Sequence, residues 1–161
     1  MKIKNYLANC FLLLIPLILW NIALIDYLPK KYGIDVFNKN IPVIIKYSEN
    51  GIRFILFTLP VFMILSLKTN LQKIGFSMYI LGIILYFSSW LLVIINPDSS
   101  WSQSLIGFMA PAYTTILFFV GIGLIGNKAF FKFPHLSLVY ISLSILFVIV
   151  HSLHTYIVFM R

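Results

Sequence analysis

Residues 74–95 read IGFSMYILGIILYFSSWLLVII, an apolar run with no Asp, Glu, Lys or Arg. As a helix rising 1.5 Å per residue it would be about 33 Å long, matching the roughly 30 Å hydrocarbon core of a bilayer. Four further mainly apolar runs flank it, at residues 6–28, 49–67, 104–126 and 136–160, with Asp26, Glu49 and Arg53 as their only acidic or basic residues apart from histidine. The reading is an all-α, polytopic membrane protein: one domain over residues 1–161, built as a bundle of five transmembrane helices.

The composition agrees. The chain is 61% hydrophobic and 10% charged, against roughly 25% charged in soluble domains, which excludes a water-soluble fold. Twelve Lys and Arg face four Asp and Glu, a formal charge of +8. The basic residues bracket the apolar runs, as loop lysines beside anionic headgroups do, so the partner they imply is the lipid bilayer and not nucleic acid. Cys10 is the only cysteine, which excludes an intrachain disulfide and a cysteine metal cluster. The apolar run follows Cys10 where a lipoprotein signal would precede it, and residues 6–28 contain no small-residue cleavage site. The first span is therefore expected to be retained.

Pro29, Lys30, Lys31 and Gly33 end the first span. Asn40, Ile41 and Pro42 mark a helix start, since proline suits a first turn whose N–H needs no partner. Val43, Ile44 and Tyr47 alternate with Lys46 and Glu49, an amphipathic pattern expected of a short interfacial helical stretch before the second span. Residues 68–73 and 127–135 read as basic turns, and residues 96–103 as a polar loop in which Ser can cap the next helix.

With five spans, Lys2, Lys4, Lys68, Lys73, Lys128 and Lys132 share one face that carries no acid. The other face holds Lys30, Lys31, Lys39, Lys46 and Arg161 with all four acids, Asp26, Asp35, Glu49 and Asp98. The two short loops of the first face each carry two lysines, and the short loop around Asp98 carries none. The positive-inside rule then puts the N-terminus inside and the C-terminus outside, in a plasma (inner) membrane.

Gly121, Gly123 and Gly126 spell GIGLIG, formally a dinucleotide fingerprint, but the motif ends an apolar span and no acid follows Asp98. Small residues for close helix packing, with Gly107 and Ala110, are the better reading.

Glu49 and Arg53 stand four residues apart and can share a helix face. Arg53 precedes Lys68 by fifteen residues, about 22 Å along a helix, which places it in or at the outer edge of the hydrocarbon layer. An arginine there needs a partner or a headgroup. It is either an interfacial anchor or a recognition group for a lipid phosphate or a carboxylate. On the last span Ser137, Tyr140, Ser144, His151 and His154 make one helical stripe, which should turn toward the other helices.

Asp26, Glu49, Arg53, Asp98, Trp101, His151 and His154 thus form the candidate ligand-binding cluster of the outer leaflet. His151 and His154 with a carboxylate from Glu49, Asp98 or Asp26 could hold a divalent metal. Alternatively, a histidine could serve as base toward Ser99, Ser100 or Ser102. A single-chain bis-histidine haem is disfavoured: His151 and His154 share a face, and His135 lies about 24 Å from His151. Trp20, Tyr86, Trp90, Trp101 and Tyr113 could line a cavity, and Pro16, Pro60 and Pro111 could kink spans to open one. Two functions fit. One is a small membrane protein binding a lipid-like or anionic amphipathic ligand, a partner membrane protein or its own copies through the extracytoplasmic face. The other is a membrane-embedded metal-dependent or acid/base hydrolase or transferase acting on a lipid or envelope substrate.

Overall fold

The structure, a computed structural model, describes residues 8–131, 133 and 135–161. The expectations placed on Lys2, Lys4, Tyr6 and Lys132 lie outside the described residues. The regular elements among the described residues are helical, apart from isolated bridges of Asn9 with Ile64 and of Met63 with Ala129. Four helical runs are long and apolar enough to cross a membrane: Cys10–Tyr27, Asn70–Ile95, Leu105–Ile125 and Leu136–Phe159.

The first run opens as a 3-10 turn, Cys10–Leu13, continues as α1 (Ile15–Leu24) and closes in a second 3-10 turn, Ile25–Tyr27. Pro16 falls in the first turn of α1. It starts the helix instead of kinking it, because a first-turn residue has no helical acceptor for its N–H. A 3-10 turn, Lys30–Tyr32, and the one-turn helix α2 (Ile34–Phe37) follow. Asn40 then adopts φ 53°, a left-handed conformation that asparagine tolerates, and redirects the chain into Pro42.

Helix α3 (Val43–Thr58) corrects two sequence boundaries. The interfacial stretch before the expected second span is continuous with it as the first half of this helix, and the expected span at 49–67 ends early. Pro60 stops the α ladder, since its ring lacks an N–H and crowds the preceding turn. The chain tightens to a 3-10 turn, Leu59–Phe62, and extends from Met63. There the Cys10 N–H donates to Met63 O (2.9 Å), Leu65 N–H to Ala8 O (3.0 Å) and Ile64 N–H to Lys128 O (2.8 Å).

Helix α4 (Asn70–Ile95) begins one turn before the expected Ile74. Thr69 Oγ1 accepts from Gln72 N–H (3.3 Å) and Gln72 Oε1 accepts from Thr69 N–H (3.1 Å), a reciprocal cap that recruits the supposed basic turn into the helix. The fourth expected span is two helices, α5 (Leu105–Tyr113) and α6 (Thr115–Ile125), joined at Thr114 just after Pro111. Ser104 caps α5 by accepting from Gly107 N–H (3.1 Å). The last span matches closely as α7 (Leu136–Phe159).

Helices α4 and α6 meet through glycine. A Cβ on Gly121 would stand 2.6 Å from Gly75 O and from Tyr79 N, and one on Gly75 would stand 2.7 Å from Leu124 Cβ. The GIGLIG glycines are packing residues, with Gly126 set against Met63 and Cys10. Gly107, by contrast, meets the Trp101 backbone and not a second helix. Gly51 is the opposite case: nothing lies within 4 Å of the place a Cβ would occupy. Gly51→Ala is therefore expected to stabilise the protein by about 0.5–1 kcal/mol, since alanine loses less backbone freedom in a helix. Equilibrium unfolding in mixed micelles checks this, and a loss of stability would show that α3 is not helical there.

Helix α7 packs against α3, α5 and α6. Its polar stripe turns inward: Tyr140 and Ser144 are 0% exposed and His154 2%. Helix α1 is peripheral, with Leu19 and Ile22 more than half exposed. It is held by the Trp20–Phe87 stack (4.0 Å between centroids) and by the Tyr86 hydroxyl donating to Asn21 Oδ1 (2.6 Å).

Candidate functional site

The site forms where α3 crosses α7. Glu49 and Leu56, seven residues apart, are buried on α3, so the face that meets α7 carries a carboxylate. On α7 the spacing of Phe147, His151 and His154 brings two imidazoles to one helix face. Glu49 is 3% exposed, and an unpaired carboxylate so placed would cost several kcal/mol.

Both of its oxygens are engaged. Oε1 accepts from Arg53 Nη2 and lies 3.1 Å from His151 Nδ1, and Oε2 lies 2.5 Å from His154 Nδ1. Arg53 also donates through Nη1 to Asn50 Oδ1 (3.3 Å) and stands over the Phe147 ring, 5.6 Å from its centroid. His154 Nε2 reaches Phe37 O at 3.0 Å, which ties α2 to α7.

Donor and acceptor bookkeeping fixes the protons. A carbonyl oxygen only accepts, so His154 Nε2 carries a hydrogen. The contact between His154 Nδ1 and Glu49 Oε2 must then hold one more proton, on either atom. Glu49 Oε1 already accepts from Arg53, so His151 donates to it through Nδ1–H. Glu49 and His154 together are neutral wherever their shared proton sits, and the Arg53 charge is left unbalanced within the cluster.

Several cavities border it. A polar vestibule of about 510 Å³ is lined by Asp35, Lys39, Lys46, Glu49, Arg53 and His154, among others. A cavity of about 300 Å³ inside the bundle is lined by Arg53 and His151 together with Asn21, Tyr86, Thr115 and the aromatic rings of Phe57, Trp90, Phe118, Phe119 and Phe147. A more apolar recess of about 250 Å³ shares Asn21, Trp90 and His151 with that cavity and reaches Leu24, Ile25 and Leu28 at the end of α1. Arg53 belongs to both the vestibule and the inner cavity.

Of the seven residues singled out from the sequence, Glu49, Arg53, His151 and His154 converge here. Asp26, Asp98 and Trp101 do not join them. Asp26 is exposed on the 3-10 turn after α1. Asp98 lines a separate recess of about 180 Å³ with Lys30, Lys31 and Ser102. Trp101 is 44% exposed, and its carbonyl accepts from Ser104 Oγ (2.7 Å). Ser99 Oγ donates to Ser102 Oγ (3.0 Å) and Ser102 Oγ to Leu92 O on α4 (3.4 Å), so neither hydroxyl is bonded to a histidine.

Among the described residues no group of three His, Cys, Asp or Glu side chains is placed to hold a metal ion. Of the three carboxylates named for that site, Glu49 is the one beside the histidines, and both turn Nδ1 onto it. Trp90 and Tyr86 do line the cavity, as does Pro111.

Lys46 and Asn50 were legible as site residues: with Glu49 and Arg53 they repeat at three, four and seven residues along α3. The Phe37 carbonyl carried no side-chain signal. Outside the spans, burial raises the Tyr32 phenol above its ordinary range, which keeps it a donor to Phe108 O (2.9 Å) and pins the segment after α1 to α5.

No family model matches the chain, and no characterised protein or solved structure is similar to it.

Proposed function

We propose that this is an integral protein of the plasma (inner) membrane that binds an amphipathic ligand with an anionic head at its extracytoplasmic face. Arg53 carries this reading. It is a cation left unbalanced by its own cluster, and it stands between a basic, water-facing vestibule and an aromatic cavity. An anionic head would meet Arg53, with Lys39 and Lys46 in the vestibule, while the apolar part fills the cavity, where a few placed polar groups set orientation.

Helix α3 makes the fifth crossing in this reading. With its terminal 3-10 turn it is about 32 Å long, near the hydrocarbon thickness. It runs between the end where Ile41 packs with Val93 and Val158 and the end where Met63 meets Cys10. Its charged residues face α7 and the vestibule, with Glu49 bonded to Arg53, His151 and His154. Lys68, Lys73 and Lys128 at the Met63 end support an inside N-terminus.

Binding of dodecanoate to purified protein, measured by titration calorimetry, tests the reading. Arg53→Gln is expected to weaken it roughly 10- to 100-fold, the loss of a charge-assisted contact, while Arg53→Lys retains part of it. Equal affinity in the wild type and a folded Arg53→Gln variant would overturn it.

One observation favours the enzymatic alternative, an acid/base hydrolase or transferase. Glu49 fixes the His151 ring through Nδ1, as a carboxylate orients a catalytic imidazole, and no partner for Nε2 exists among the described residues. Conversion of labelled membrane lipids that disappears in His151→Phe would replace binding with catalysis as the primary role.

A further inference from the structure

Arg53 and His151 both line the inner cavity. Arg53 has five N–H donors; two point to Glu49 and Asn50, and the rest remain for a ligand. His151 is different. Glu49 Oε1 already accepts from Arg53 and therefore takes Nδ1–H from His151 (3.1 Å). In the neutral ring that leaves Nε2 as a lone-pair acceptor.

The ring has little freedom to turn this polarity around. It stacks on Phe147 at 5.3 Å and 13°, and Phe37 stands 6.4 Å away on the α2 side. Its side chain is 21% exposed, enough to reach a ligand in the cavity and too little for bulk water to satisfy it freely. His151 also lines the recess beside α1, so a chain running from one cavity to the other passes it.

A simple carboxylate head satisfies Arg53 but places a second acceptor against His151 Nε2. A head that couples an anion to a nearby hydroxyl satisfies both, the anion on Arg53 and the O–H on Nε2. Resting on the anionic-amphipath reading above, we propose that the ligand belongs to this narrower class: an amphipath whose head carries an anionic group and, within two or three bonds of it, a hydroxyl donor. The aromatic walls then hold the chain, and His151 sets which head is preferred.

The experiment compares dodecanoate with 3-hydroxydodecanoate, which differ by one hydroxyl, on the wild type and two variants. His151→Phe removes both nitrogens. His151→Asn keeps an N–H for Glu49 and removes the acceptor at the Nε2 position. Wild type is expected to bind the hydroxylated probe roughly tenfold more tightly, the worth of one hydrogen bond to an otherwise unpaired, part-buried acceptor. Both variants should bind the two probes alike, whatever their common affinity. Equal affinity of the wild type for the two probes overturns the hydroxyl assignment and leaves the anionic-amphipath reading standing. So does a preference that survives in His151→Asn. Failure of the wild type to bind either probe, with Arg53→Gln no different, overturns both. Thermal unfolding of each variant shows that it is folded before its ratio is read.

Discussion

Glu49→Ala is expected to destabilise the protein by about 3–5 kcal/mol, the cost of breaking a buried charged network by removing one member. The alanine would leave His154 Nδ1, His151 Nδ1 and one Arg53 nitrogen facing an empty space where both carboxylate oxygens had been. Arg53, whose side chain is 42% exposed, can swing toward water. His154, 2% exposed and held through Nε2 by Phe37 O, cannot. The largest share of the loss therefore falls on the α3–α7 contact. Glu49→Gln keeps one acceptor oxygen and should lose less. Apolar residues placed together at Glu49, Arg53 and His154 should restore much of the stability, because the cost of single removal is that of the charges left behind. Equilibrium unfolding in mixed micelles measures all three, and additive losses would contradict a shared network.

Gly121→Leu comes next, with an expected loss of about 3 kcal/mol or more. The obstacle is backbone. Gly75 O and Tyr79 N both lie 2.6 Å from the place a Cβ would take, so helix α4 itself must move away. Separation at Gly121 also removes the close approach at Gly82, where the neighbour is the backbone of Phe118. The same unfolding measurement should find Gly51→Leu far milder, since that position opens onto empty space. Equal effects at the two positions would show that α4 and α6 are not in glycine contact.

Much of this was legible because lipid imposes a simple code. Apolar runs of spanning length and the lysines between them located four long helical runs and the two ends of the bundle. The stripe on α7 announced its inward face through spacing alone, and the Glu49–Arg53 pair announced a polar site because charges at that depth need partners.

What escaped did so for local reasons. Thr69 and Gln72 form a cap that adds a turn to α4, a signal present in the sequence but masked by the flanking Lys68 and Lys73. Pro60 marked the end of α3, yet the apolar residues beyond it, through Leu67, concealed the change to extended backbone. The acids Asp26 and Asp98 share an end of the bundle with Glu49, but end of bundle is all that topology conveys. Which loop folds over which helix pair depends on contacts such as Tyr32 with Phe108, and no spacing encodes those. The Phe37 carbonyl lies beyond sequence reading for the same reason.

The most direct test follows the chain into the cavity. Trp90 lines the inner cavity and the recess beside α1, so a variant with Trp20→Phe and Trp101→Phe keeps one reporter at the proposed site. Titration with 11-bromoundecanoate, whose bromine quenches indole fluorescence at short range, is expected to quench Trp90 saturably. Adding Arg53→Gln should move the midpoint roughly 10- to 100-fold upward, as for dodecanoate. Quenching that rises linearly with probe, and identically with and without Arg53, would mean the chain partitions only into the surrounding lipid and that the cavity is not its site.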